Sequence, residues 1–212
     1  MNLAESLLLF DAPEKKEPDK GSISYSAFDE YRDDSFVIGK RMSKCIDVLG
    51  PIKQDECKHV VSMGEWSADN VIAWSISQIN EPVDLVFASW SISPEPARRL
   101  GALHKNGLIK SIKAVFDLRA VIRKPEAIKT LKAAYGSKSI KIFNNHAKCY
   151  VVTGQSLEIA IVTSANLTNN PRVETYCIYT NKEVVSFHKN WILKTFNDGD
   201  PFSEDVFEKS KA

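Results

Sequence analysis

The sequence predicts an α/β fold, an α-β-α sandwich around a mixed sheet, built as one domain with an N-terminal extension. Three observations lead there. Between residues 59 and 143, short β-branched runs alternate with segments of helical period. From Ser139 onward four strand-like runs follow one another with short connections. The 212 residues are 43% hydrophobic and 26% charged, the balance of a chain that buries a single core.

In chain order, Leu3–Phe10 is apolar but short. It contains Glu5, lacks a basic leader and has no small-residue cleavage site after it, so no signal peptide is expected. Whether it forms a short docking helix is open. Asp11–Lys20 (DAPEKKEPDK) sets two prolines among charges and reads as a flexible linker. Residues 22–58 read as irregular with short elements, and Tyr25, Phe28, Tyr31 and Phe36 suggest that part of them packs on the main body. The extension is therefore placed at 1–58, the main domain at 59–197 and a C-terminal tail at 198–212.

Within that domain His59–Met63 is a strand. Ser67-Ala68-Asp69 can cap a helix over Asn70–Ile79, whose Val71, Ile72, Trp74, Ile76 and Ile79 form an apolar face. After Pro82, Val83–Ile92 is a strand. Ser93-Pro94-Glu95 opens a helix to Asn106 that Gly107 stops. Lys110–Leu118 is a strand, and Pro125–Tyr135 a helix closed by Gly136. Ser139–Phe143, His146–Thr153, Glu158–Ser164 and Val173–Thr180 are strands. Glu183–Phe196 is an amphipathic helix with Val184, Phe187, Trp191 and Ile192 on one side.

Several classes are set aside. No window holds the roughly 18 apolar residues that a membrane span needs. The cysteines Cys45, Cys57, Cys149 and Cys177 show no CxxC spacing, which argues against a disulfide framework or structural zinc and suits a reducing, cytoplasmic compartment. Cys149 and Cys177 could approach across neighbouring strands, though packing as small hydrophobes is the simpler account. His59, His104 and His188 have no partners at ligand spacing. Trp66, Trp74, Trp90 and Trp191 read as core, with Trp90 also able to line a cleft. Gly101, Gly136 and Gly154 stand alone, so there is no phosphate-cradling glycine loop. No cofactor and no metal are expected.

The net charge of +1 hides segregation: residues 98–148 hold 13 basic residues against two acidic ones, Asp117 and Glu126. Such a block is either a solvated face or a phosphate-attracting surface. On the second reading the candidate contacts are Arg98, Arg99, Lys105, Arg119, Arg123, Lys124, Lys129 and Lys132.

The residues with the most chemistry lie in Phe143–Glu174. His146 and Lys148, two apart on an expected strand, project from one face, and Ala147 points the other way. The next strand ends in Thr163-Ser164-Ala165-Asn166, and a further one begins near Glu174. If these strands are neighbours, an imidazole, an ammonium, a hydroxyl, a carboxamide and a carboxylate meet at one sheet edge. That set suits phosphoryl transfer. The imidazole attacks phosphorus, the carboxylate holds its other nitrogen, and Lys148 and Asn166 stabilise charge on the oxygens. The plainer alternative makes His146 a hydrogen-bonded strand-end residue and Asn166 a turn former.

At these positions the chain resembles the phospholipase D superfamily. His146-Ala-Lys148 supplies HxK, Ser164-Ala165-Asn166 resembles the second half of the motif, and Glu174 sits where many members carry an acid. Thr153 stands in place of the motif's aspartate and Thr163 in place of its glycine, a swap that could narrow the pocket. The resemblance covers about His59 to Phe196 and includes a single motif. It implies a phospholipase D-like sandwich and a metal-independent phosphodiesterase with His146, Lys148, Asn166, Glu174 and Ser164 as site residues. A single motif further implies a homodimer in which the partner's copy supplies the second histidine. With the basic stretch, the resemblance implies a nuclease with a nucleic-acid partner. A nucleic-acid-binding or assembly module with little catalysis is the alternative. A phospholipase is less well supported, since no amphipathic membrane-surface helix is visible.

Overall fold

The computed structural model describes residues 45–64, 66–169 and 172–202, and the backbone alone of 24–25 and 34–38. The linker at 11–20, the apolar run 3–10 and the tail beyond 202 lie outside the described residues.

Ten strands form one mixed sheet. They are β1 (Ser24–Tyr25), β2 (Asp34–Ile38), β3 (Cys57–Ser62), β4 (Val83–Ser89), β5 (Ile109–Phe116), β6 (Ile140–Ile142), β7 (Cys149–Thr153), β8 (Glu158–Thr163), β9 (Glu174–Tyr179) and β10 (Asp200–Pro201). Across the sheet they lie in the order β1-β2-β3-β9-β8-β7-β4-β5-β6-β10. Among the described residues the α-helices are α1 (Cys45–Leu49), α2 (Ala68–Ile79), α3 (Pro94–Lys105), α4 (Leu118–Arg123), α5 (Pro125–Tyr135) and α6 (Lys182–Asp198). None of the described helices is long and apolar enough to cross a membrane.

Local chemistry sets the helix ends. The Asn70 carboxamide oxygen accepts from the Ser67 N–H at 3.0 Å, closing the first turn of α2. Pro94 and Pro125 stand at the first positions of α3 and α5, where a missing N–H costs nothing. The Asn181 side chain accepts from the Glu183 and Val184 amides and starts α6. Gly136, at φ 84°, ends α5 in a conformation that other residues disfavour.

Alternation along the strands then makes two cores. Leu85, Phe87, Tyr150, Val152, Ile159, Ile161 and Ile178 face α2, α3 and α5, where Trp74, Ile76, Leu100 and Leu131 are fully or almost fully buried. Val86, Val115, Val151 and Ala160 face Val185, Ile192 and Phe196 of α6. Each fully buried aliphatic chain contributes about 1.5–3 kcal/mol.

The α-β-α sandwich expected from the sequence is present, with local differences. Within 22–58 the described residues form short elements: β2 pairs parallel to β3, and α1 packs Cys45 and Leu49 into the core. The strand expected over 110–118 ends at Phe116, because Asp117 turns the chain and caps α4 with its own side chain. His146 and Lys148 precede β7, which begins at Cys149. In the C-terminal segment Asp200–Pro201 pairs with β6 and Phe202 is buried. Cys149 and Cys177 each oppose Val162 of the strand between them, so they are not neighbours.

Candidate active site

The strand directions place all five candidate residues at one edge. β3, β4, β5, β6 and β8 end there, and β7 and β9 begin there, as the pairs Ala88↔Cys149 and Ser62↔Glu174 show. His146 and Lys148 come just before β7, Ser164 and Asn166 just after β8, and Glu174 opens β9.

His146 is exposed on a short turn that two groups fix. The Asn145 carboxamide oxygen accepts from the Ala147 N–H at 3.0 Å. The Asn145 N–H donates to Asp117 Oδ2 at 3.3 Å. The Trp90 ring, at the end of β4, lies 5.8 Å from the imidazole between centroids. Lys148 turns back onto the same residue, its Nζ 2.7 Å from the His146 carbonyl oxygen and 3.4 Å from Nδ1. Burial lowers the Lys148 pKa below its usual value, and the Glu174 carboxylate works against that shift. The expectation of a carboxylate on the second imidazole nitrogen is not met within this chain, because Lys148 faces Nδ1. Glu174 instead accepts from the Ser164 hydroxyl.

Asn166 is held on both its polar ends. The Ser91 N–H donates to Oδ1 at 3.2 Å, and the Ala68 N–H, at the start of α2, to the main-chain oxygen at 3.4 Å. With Oδ1 taken, the carboxamide presents its NH₂ as a donor. Next to it, the Leu167 carbonyl accepts from the Ser93 N–H at 2.8 Å.

The two departures from the motif lie in different places, Thr163 beside Ser164 at the site edge and Thr153 away from it. Thr163 uses its hydroxyl on the backbone, donating to the Thr175 carbonyl at 2.7 Å and accepting from the Ala165 N–H at 2.9 Å. Thr153 is at the far end of β7, five residues from Lys148, or roughly 16 Å along a strand.

The basic residues divide by position and partner. Arg98, Arg123 and Lys124 are exposed near the site edge, Arg98 one turn into α3 and the others where α4 meets α5. Arg119 donates to Asp117, at 2.8 Å from Nε. Arg99 is mostly buried and bound to Asp69 and Glu95. Lys129 is exposed and pairs with Glu126. Lys105 is at the opposite end of α3, and Lys132 lies over the Phe202 ring. Charge counting missed Asp117, although it was one of two acids in the basic stretch and so carried a signal. Ser91 and Asn145 carried none.

Among the described residues no group of three or more His, Cys, Asp or Glu side chains is placed to hold a metal ion. The arrangement offers an exposed imidazole, two donors for an anionic oxygen and a hydroxyl–carboxylate pair, groups whose chemistry suits substitution at a phosphate.

No protein-family model matches the sequence, and no curated protein matches it. Among solved structures, the chain is similar to Nuc from Salmonella typhimurium, a phospholipase D family member. The TM-score is 0.51 at 17% identity, covering 70% of this chain and 100% of that one. It is also similar to NucT from Helicobacter pylori, with a TM-score of 0.50 at 16% identity, covering 69% of this chain and 100% of that one. These likenesses are ones of fold, and the fold is the phospholipase D type.

Proposed function

From the phospholipase D-type fold and the residues at its sheet edge, we propose that the chain is a metal-independent phosphodiesterase acting on nucleic acid through a phosphohistidine. The observation that carries this is the convergence of His146, Lys148, Ser164, Asn166 and Glu174 at one edge. His146 Nε2 attacks phosphorus, the bond to the leaving oxygen breaks, and that oxygen takes a proton from a second imidazole. The second imidazole then removes a proton from water, which attacks the phosphohistidine and frees His146. Lys148 and the Asn166 NH₂ hold the non-bridging oxygens throughout.

The second imidazole is His146 of an identical chain. The site edge supports this pairing with a rim of exposed apolar side chains: Met63, Leu118, Ile122, Phe143 and Val173. Such a fringe around a polar site suits a twofold contact that brings two sites together. Arg98, Arg123 and Lys124 contact the backbone phosphates of the substrate, so binding falls steeply with salt. A binding module is the outcome if the groups hold an anion without turning it over.

The test incubates wild-type and His146→Ala protein with labelled single- and double-stranded DNA and RNA in excess EDTA. Cleavage by wild type alone is expected. Cleavage by both would place the reaction elsewhere. Tight binding without cleavage by wild type would make the chain a binding module.

A further inference from the structure

We infer that Arg99 is a positioning residue that aims Asn166, and not a phosphate contact. This rests on the role given to Asn166 above. Arg99 belongs to the basic stretch that suggested a polyanion surface, yet its side chain is only 14% exposed and its guanidinium reaches three ways. Nε donates to Asp69 Oδ2 at 2.6 Å, Nη1 to Glu95 Oε1 at 2.8 Å and Nη2 to Asn169 Oδ1 at 3.1 Å. Asn169 donates in turn to the other Glu95 oxygen. Three of its five N–H donors are thus directed at Asp69, Glu95 and Asn169, and with the side chain mostly buried little of the fork is left for a phosphate.

Those partners are the supports of the Asn166 loop. Asp69, fully buried, lies in the first turn of α2, and its neighbour Ala68 donates to the Asn166 carbonyl. Glu95 lies in the first turn of α3, two residues after Ser93, whose N–H holds Leu167. Asn169, three residues after Asn166, joins Arg99 to Glu95. Arg99 thus binds two helix starts and the loop between them, with Asn166 at its near end. The planar guanidinium can span these three directions, whereas a lysine ammonium cannot. A donor that acts on developing charge must be held closely, since a displacement of about 1 Å can cost on the order of 100-fold in rate.

The test compares Arg99→Lys, Asn169→Ala and Asn166→Ala, alone and combined, after circular dichroism shows each to be folded. Arg99→Lys is expected to lower kcat about tenfold with KM little changed. In the Asn166→Ala background it is expected to have no further effect, because the group it aims is gone. Additive losses with a raised KM, and a salt slope of DNA binding reduced by about 1, would instead make Arg99 a phosphate contact. A second readout needs no turnover. Amide exchange at Ala68, Ser91 and Ser93 is expected to be about tenfold faster in Arg99→Lys and Asn169→Ala than in wild type. Unchanged exchange overturns the inference. Absence of cleavage by wild type overturns the reaction proposed above and leaves exchange to decide the role of Arg99.

Discussion

The Lys148 ammonium lies 3.4 Å from His146 Nδ1 and 2.7 Å from the carbonyl oxygen of the same residue. An ammonium is a donor only, so Nδ1 accepts and the neutral ring carries its proton on Nε2. Nucleophilic attack by Nε2 needs the opposite tautomer. In the reaction proposed above, an anion that draws Lys148 away would free Nδ1 to take the proton and so prepare Nε2 for attack. Imidazole ¹⁵N NMR should show the Nε2–H tautomer of His146 in the free protein, moving toward Nδ1–H when orthovanadate is added. Lys148→Ala should lose turnover in EDTA while remaining folded. A Lys148→Ala protein that cuts at the wild-type rate contradicts this role.

The Asp117 carboxylate is buried where the His146 turn, Arg119 and the start of α4 meet. Burial on its own would raise its pKa, but hydrogen bonds from the Arg119 side chain and from the amides of Arg119 and Asn145 outweigh it, and the net shift is downward. A carboxyl with a lowered folded pKa stabilises the protein above its unfolded pKa of about 3.9, and that contribution is lost as pH falls through the folded value. Asp117→Asn should cost about 1–2 kcal/mol at pH 6–8. The gap to wild type should begin to narrow only as pH falls below about 4, read by urea denaturation. A gap that is constant with pH removes the charge from this account.

The elements were legible wherever local chemistry sets them. Pro125 and Gly136 bracket α5 at Pro125–Tyr135 as the sequence predicts, and the four late strands appear in order. The site was legible as residue types, because HxK and Ser-x-Asn are short and local. What was hidden depends on tertiary placement. No local signal says that the Ser91 N–H meets Asn166, or that Glu174 meets Ser164 rather than an imidazole. Charge counting registers Arg99 and Arg119 as cations and is blind to the carboxylates that the fold brings against them. Alternation predicts β7 from His146, but the strand begins at Cys149: the Asn145 turn takes His146 and Ala147 out of line, while the Lys148 carbonyl still accepts from the Thr163 N–H at 3.1 Å.

Leu118, Ile122 and Phe143 are exposed beside the His146 turn, and Met63 and Val173 fringe the Glu174 side. If two chains meet here, a charge at the rim faces its own copy across the twofold axis and must be desolvated. Sedimentation should find wild type dimeric at micromolar concentration and Phe143→Asp monomeric, with turnover falling in step. A wild type that stays monomeric at that concentration removes the shared site.

At the opposite sheet edge the β7–β8 turn gives two stability changes of opposite sign. The Glu81 carboxylate accepts from the Gln155 and Ser156 amides at 2.7 and 2.8 Å, drawing the turn onto the end of α2. A Cβ at Gly154 would overlap Ile79 Cγ2 and stand 2.7 Å from Glu81 Oε1, so glycine is required by the close approach. Gly154→Ala should therefore lower stability by about 1–3 kcal/mol. Beside it, the buried Thr153 hydroxyl has no hydrogen-bond partner among the described residues. Thr153→Val removes that unsatisfied group at equal shape and should be neutral or stabilising by up to about 1 kcal/mol. Both variants should keep the wild-type kcat, because the turn is a strand's length from His146. A loss of turnover in Thr153→Val with unchanged stability would mean that the far end of β7 takes part in the reaction.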